Sequence, residues 1–107
     1  MNSDKYTKGI LQLLEETKAE DIQIIDVRDK TPFSEYYILV TATNPRQMNA
    51  LKEAVVEKIE TLKGKINHVE GNENSGWILV DAYHVVVNIF SKEERERISL
   101  EQILSRR

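Results

Sequence analysis

The chain has 107 residues, of which 40% are hydrophobic and 31% are charged, and its formal net charge is −3. This length suits a single domain over residues 1–107, and the absence of cysteine excludes disulfides, thiolate zinc ligands and a cysteine nucleophile. Binding to nucleic acid by counterion release needs clustered Lys and Arg, so the negative net charge disfavours direct nucleic-acid binding. The same charge suits a basic protein partner.

The N-terminal segment, residues 1–8, is polar and lacks the basic-then-apolar layout of a secretory signal. Every apolar run in the chain is shorter than the roughly 20 helical residues that cross a bilayer. We therefore expect a cytoplasmic protein with no membrane segment.

The first predicted element is an amphipathic helix over residues 5–18, with Asp4 placed to cap its start. Its apolar positions recur at helical spacing: Tyr6, Ile10, Leu13 and Leu14. β-Branched residues over 22–27 predict a strand, and the apolar run over 36–43 predicts a second, buried strand. A loop with Pro32 joins the two strands.

Residues 44–47, Asn-Pro-Arg-Gln, indicate the start of a second helix. Asn can cap, Pro is tolerated at the first helical position, and Gln at the third can complete a capping box. An apolar stripe with a period of 3.6 residues follows: Met48, Leu51, Val55, Ile59 and Leu62. Gly64 supplies the permissive backbone that commonly ends a helix. This stripe is predicted to be core.

Three strands are predicted next, over residues 66–70, 77–81 and 84–90, with a polar turn at 71–76. Two capping-box patterns predict one or two short C-terminal helices: Ser91 with Glu94, and Ser99 with Gln102. The order helix, two strands, helix, three strands, helix implies an α/β or α+β fold, with a mixed sheet of about five strands and flanking helices.

The last two strands are predicted to form a hairpin with a loop at 82–83. Antiparallel pairing then sets Asp81 opposite His84, Leu79 opposite Val86, and Trp77 opposite Asn88. One face of this hairpin is apolar and predicted to face the core: Ile78, Val80, Val85, Val87 and Ile89. The other face is mixed: Trp77, Leu79, Asp81, His84, Val86 and Asn88.

A mixed face that contains a tryptophan has the composition of a protein-binding surface, because Trp is enriched among the residues that dominate interfaces. The alternative is that another helix of the same domain covers this face, with Trp77 in ordinary packing. The sequence leaves both interpretations open.

Several blocks between about residues 10 and 104 carry a family resemblance through their order and spacing. In the first half they are Ala-Glu-Asp-Ile (19–22), Ile-Asp-Val-Arg (25–28), Ser-Glu-Tyr-Tyr-Ile-Leu (34–39) and Thr-Ala-Thr-Asn-Pro-Arg-Gln (41–47). In the second half they are Val-Glu-Gly (69–71), Gly-Trp-Ile-Leu-Val-Asp (76–81), Val-Val-Val-Asn-Ile-Phe (85–90) and Leu-Glu (100–101). Together these blocks resemble the ribosomal silencing factors, also called the Iojap-like family. Asn88 and Ser99 depart from its pattern, which usually has His and an aromatic residue there.

The resemblance implies a nucleotidyltransferase-like fold without enzyme activity, cofactor or metal. It also implies docking onto large-subunit ribosomal protein fourteen, which blocks subunit joining and lowers translation in starvation or stationary phase, and a link to late large-subunit assembly. For the free protein it is compatible with a homodimer. The residues that the resemblance places at the interface are Glu70, Trp77, Leu79 and Asp81, with His84 and Arg95 as additions. Trp77 and Leu79 would be apolar anchors, and Glu70 and Asp81 would meet basic side chains.

Two rival functions remain. An active nucleotidyltransferase could hold a metal ion with Asp26 and Asp81, but no phosphate-binding glycine motif or Asp-x-Asp pair is present. His68 and His84 lack a paired metal motif, and no Gly-x-Ser-x-Gly hydrolase motif occurs. An RNA-binding assembly factor would need phosphate contacts from a few scattered cations: Lys63, Lys65, Arg106 and Arg107. Solvated surface charge explains those cations better, because no aromatics are interleaved with them.

Overall fold

The structure, a computed structural model, describes residues 3–98, with side chains from residue 5 onward. Its elements are α1 (Ser3–Glu16), β1 (Glu20–Asp26), β2 (Tyr36–Ala42), α2 (Pro45–Thr61), β3 (His68–Glu70), β4 (Trp77–Asp81), β5 (Val85–Ser91) and α3 (Lys92–Ile98). This is the predicted order, and the strand bounds lie within two residues of those predicted. Asp4, the expected cap, lies inside α1, and the helix expected from Ser99 lies outside the described residues. No helix within residues 3–98 is long and apolar enough to cross a membrane.

The five strands form a mixed sheet in the order β1-β2-β5-β4-β3. The central strands β2 and β5 run parallel, whereas every other pairing is antiparallel. The parallel pair is possible because α2 lies on the connection between these two strands and packs back onto the sheet. The prediction of a mixed five-stranded sheet with flanking helices is confirmed.

The core lies between the sheet and the pair α1 and α2. Four members of the predicted α2 stripe are buried there: Met48, Leu51, Val55 and Ile59. The five hairpin side chains predicted to face the core are buried in the same cluster: Ile78, Val80, Val85, Val87 and Ile89. Each buried side chain of this size stabilises the fold by roughly 1.5–3 kcal/mol. The predicted core face is therefore confirmed.

The predicted hairpin register is wrong by two residues. Trp77 lies opposite Phe90 and Asp81 lies opposite Val86, because the turn takes in His84 as well as residues 82–83. Tyr83 adopts a φ of 69°, and its N–H donates to the Asp81 carboxylate at 2.9 Å. On the β4 side the N–H of Ala82 donates to the Val85 carbonyl at 3.0 Å, which closes the turn over Tyr83 and His84. On the β2 side the His84 carbonyl accepts from the backbone N–H groups of residues 35 and 36. A shift of two residues keeps the alternation, so the strand residues stay on their predicted faces. His84 is the exception: it lies in the turn and borders a pocket on the helix side of the sheet, not the mixed face.

The ends of α2 follow local chemistry. Asn44 caps the start as predicted, since its side-chain oxygen accepts from the Gln47 N–H at 2.8 Å. At the end, the left-handed residue is Lys63, with φ 69°, and not the predicted Gly64. Gly64 donates its N–H to the Ile59 carbonyl at 2.8 Å, which closes a Schellman turn. A Cβ on Gly64 would lie 2.9 Å from an Ile59 methyl group and 3.0 Å from the ring of Tyr6, so close packing and not a positive φ requires glycine.

Candidate protein-docking face

Four of the predicted interface residues share the sheet face that points away from α1 and α2. Trp77, Leu79 and Asp81 alternate along β4 with the buried core residues, so they project from the opposite side. Glu70 of β3 pairs with Leu79 and projects the same way. We call these four residues the β3–β4 strip.

Trp77 is half-buried against its own domain. Its ring lies 5.1 Å from the ring of Phe90, at an interplanar angle of 34°. Its indole N–H donates to the side-chain oxygen of Asn88 at 3.1 Å. The indole thus packs inside the domain and still keeps an accessible portion, whereas a protein-binding role for this face stays a prediction.

Asp81 is held in a fixed position by its neighbours. Its carboxylate accepts from the backbone N–H of Tyr83 and, at 3.2 Å, from the side-chain amide of Asn67. The His68 imidazole lies between two carboxylates, with Nδ1 3.7 Å from Asp81 Oδ2 and Nε2 3.1 Å from Glu70 Oε1. The acidic end of the strip is thus preorganised, which lowers the entropic cost of meeting a cationic partner.

A groove of about 440 Å³ lies beside the strip. Its walls come from the loop before β2, from the β4–β5 turn, and from strands β2 to β5. The walls combine aromatic and aliphatic side chains with one carboxylate: Phe33, Tyr37, Leu79, Asp81, Tyr83 and Val86. Phe33 is 83% exposed, and Tyr83 is 48% exposed. Exposed aromatic side chains around a concave apolar floor are typical of protein-docking surfaces.

Phe33 is the residue that sequence reasoning missed. It lies in the loop between β1 and β2, where no periodic pattern marks its direction. The one signal in the sequence is a large aromatic side chain directly after Pro32 in an otherwise polar loop. Only the path of that loop across the sheet end brings Phe33 to the same groove as Leu79 and Asp81.

His84 and Arg95 lie apart from the other four predicted residues. The side chain of His84 is exposed in the turn and borders a different pocket, on the helix side of the sheet. Arg95 reaches across to the β1 side of the face, where Nη1 donates to the Asp21 carbonyl and the Thr41 hydroxyl, both at 2.9 Å. Its Nη2 donates to the Gln23 side chain at 3.3 Å. Arg95 therefore fastens α3 to the sheet.

The residues of the rival functions have other partners or positions. Asp26 is bonded by the Arg28 guanidinium, with Nη2 2.6 Å from Oδ2, and this bond lowers the pKa of Asp26 to about 2. Within residues 3–98, no group of three or more His, Asp or Glu side chains is arranged to hold a metal ion. Lys63 and Lys65 follow the end of α2, and Arg106 and Arg107 lie outside the described residues.

Comparison with known proteins shows which proteins this chain is similar to. A family model described as "Ribosomal silencing factor during starvation" matches residues 1–106. The chain is 30% identical over 103 residues to the ribosomal silencing factor of Chromobacterium violaceum, which covers 96% of this chain and 84% of that protein. It is 26% identical over 97 residues to the mouse protein named mitochondrial assembly of ribosomal large subunit protein 1, which covers 88% of this chain and 42% of that one. A crystal structure of a Chromobacterium violaceum protein superposes with a TM-score of 0.93 at 29% identity, over 100% of this chain and 89% of that one.

Proposed function

Because this chain belongs to the family of ribosomal silencing factors, we propose that it binds the large ribosomal subunit through ribosomal protein fourteen and prevents the small subunit from joining. Translation is then repressed in starvation or stationary phase, and the same docking serves late large-subunit assembly. The observation that carries this proposal is the docking face, in which exposed aromatic side chains border a groove with a fixed carboxylate.

Charge and composition support a basic protein as the partner. The strip presents Glu70 and Asp81, and the whole chain carries a net charge of −3. Complementary charge raises the rate of encounter and fixes orientation, whereas desolvated aromatic anchors supply most of the affinity. Phe33, Leu79 and the accessible part of Trp77 would be those anchors. The support for ribosomal protein fourteen in particular is the family resemblance of the blocks that hold the strip.

Steric blocking requires no chemical step. The molecule measures 35 × 34 × 22 Å along its principal axes. The two ribosomal subunits approach closely when they join, so a rigid body at least 22 Å thick beside their contact surface keeps them apart by volume alone. A repressor of this kind needs affinity and position, and it needs neither a cofactor nor a substrate.

The experiment is sedimentation of the purified protein with isolated large subunits, isolated small subunits and joined ribosomes. We expect cosedimentation with large subunits only, and a smaller fraction of joined ribosomes as protein is added. Trp77→Ala and Asp81→Lys, each checked for folding by circular dichroism, should both weaken the interaction. Equal binding to joined ribosomes would overturn the blocking mechanism, and unchanged binding of both variants would move the site away from the β3–β4 strip.

The free protein is proposed to be a cytoplasmic homodimer, for which the family membership is the support. Sedimentation velocity of the protein without ribosomes measures the oligomeric state directly. A monomer at micromolar concentration would refute the dimer and leave the docking proposal intact.

A further inference from the structure

A second concavity lies on the helix side of the sheet, at the end where the β4–β5 turn meets the start of α1 and the end of α2. It is a pocket of about 200 Å³. We propose that this pocket binds a small organic anion, with an aromatic or aliphatic body and a phosphate or carboxylate head. This pocket shares Tyr83 with the docking groove, but its other lining residues are different, and the proposal does not depend on the proposed function.

The floor of the pocket is apolar and already built. It is formed by side chains that belong to the core: Tyr6, Ile10, Ile59 and Val85. All four are buried, so their positions are fixed by packing between the helices and the sheet. Small-molecule sites are usually preformed concave surfaces of this kind, with an apolar lining and few polar groups. The floor therefore suits the apolar body of a ligand.

The rim of the pocket is cationic. Lys63 and Lys65 border it from the end of α2, and His84 borders it from the turn. None of the residues that line the pocket carries a carboxylate. Neither lysine forms an ion pair with a residue in the described part of the chain. In a chain with a net charge of −3, two uncompensated ammonium groups at one apolar opening favour an anionic head group.

A polar group is also left for the ligand. Tyr6 is buried and lines the pocket. Its hydroxyl makes no hydrogen bond to any residue within the described part of the chain. A phenol donates as well as accepts, so this hydroxyl is available to bond an anionic oxygen in the pocket.

The backbone around the pocket is strained at two points. Lys63 and Tyr83 each have a φ of 69°, and both line the pocket. Left-handed conformations at residues other than glycine cost energy, and they cluster at ligand sites and turns. Here both strained residues lie in turns that border the pocket: Lys63 in the turn that ends α2, and Tyr83 in the β4–β5 turn beside His84.

The test uses phenyl phosphate as the probe and phenol as its neutral match, each titrated into the isotopically labelled full-length protein and followed by amide chemical shifts. We expect shifts centred on residues 59–65 and 82–85, with a dissociation constant of about 1 mM or below. Phenol should bind at least about tenfold more weakly, because it lacks the charged head. Benzoate should bind at the same residues if the anionic head, rather than phosphate itself, is recognised.

Two variants and one control complete the experiment. The double variant Lys63→Gln with Lys65→Gln should weaken phenyl phosphate at least about tenfold, whereas Lys8→Gln on the exposed side of α1 should leave it unchanged. Ala82→Leu should block the pocket by filling it, without a change in charge. The proposal is overturned if shifts appear elsewhere, if phenol binds as tightly as phenyl phosphate, or if the Lys8 variant loses as much affinity as the double variant.

Discussion

Trp77 donates its indole N–H to the side-chain oxygen of Asn88 diagonally across β4 and β5, at 3.1 Å. The direct partners in the ladder are different, since Trp77 lies opposite Phe90 and Asn88 lies opposite Leu79. Asn88 is 1% exposed, and its amide nitrogen has no hydrogen-bond partner among the described residues. The oxygen of this buried amide thus accepts the hydrogen bond that holds the tryptophan, whereas its nitrogen has no hydrogen-bond partner among the described residues.

Asn88→Ala should therefore destabilise the fold. The substitution removes the acceptor for the indole and leaves a small cavity, which together should lower the free energy of unfolding by about 1–3 kcal/mol. Urea denaturation followed by tryptophan fluorescence measures this change. Asn74→Ala is the matched control, because that side-chain amide is exposed, makes no hydrogen bond to another described residue, and should change stability by no more than about 0.5 kcal/mol. Equal stability of the two variants would mean that the Trp77 bond contributes nothing.

Phe33→Ala should weaken binding to large subunits and leave the fold intact. Phe33 is 83% exposed, so its removal costs the free protein little. If Phe33 is an anchor in the docking groove, its loss should reduce affinity by about 2 kcal/mol, roughly thirtyfold. Cosedimentation at several protein concentrations measures the affinity, and thermal unfolding checks the stability.

The control for Phe33 is Ile24→Ala. Ile24 is also an exposed large apolar residue, at 40%, but it lies on the edge strand β1 and pairs with core-facing Ile38. It should bind like the unchanged protein. A similar loss of binding in both variants would indicate non-specific hydrophobic attraction rather than the groove.

Arg28→Met should raise the pKa of Asp26 part of the way to its ordinary value, because the side-chain bonds are lost while the backbone N–H of residue 28 still donates to the carboxylate at 3.0 Å. Hydrogen bonds from Arg28 lower the pKa of Asp26 from 3.8 to about 2. Because the pKa is depressed in the folded state, the pair contributes stability above about pH 4, and this contribution disappears as the pH falls towards 2. The variant should thus be less stable than the unchanged protein at pH 7, with a difference that shrinks between pH 4 and pH 2. NMR titration of the carboxyl group reports the pKa, and Arg46→Met, on the exposed side of α2, should leave it unchanged.

Lys63→Gly should stabilise the protein. The left-handed φ of 69° is free of steric cost for glycine and unfavourable for lysine. We expect a gain of about 1 kcal/mol, reduced in part by the greater freedom of glycine in the unfolded chain. Thermal denaturation should show the gain as a higher Tm. The control is Lys65→Gly, which removes the same charge at a residue whose φ is not positive, so it should not raise the Tm. An equal rise in Tm for both variants would refute the backbone explanation.

Local sequence patterns predict the helices, the strands and the direction of the strand side chains. The cap at Asn44 was readable because its partner Gln47 is three residues away, and alternation along β4 and β5 was readable because side-chain direction has a period of two. The family resemblance also rested on local blocks, such as residues 76–81. These features depend on neighbours within a few residues along the chain, so the order of the letters is enough to predict them.

The register of the β4–β5 hairpin and the contacts of each site residue depend on packing between distant parts of the chain. The β4–β5 turn, with a left-handed Tyr83 and a bond from the Ala82 N–H to the Val85 carbonyl, includes His84, and the strand pairing therefore differs by two residues from the predicted one. Arg95 meets partners 54 and 72 residues earlier in the chain, and Phe33 joins Leu79 only where loop and sheet converge. Such contacts depend on where distant backbone segments are brought together by packing, and no local pattern encodes that path.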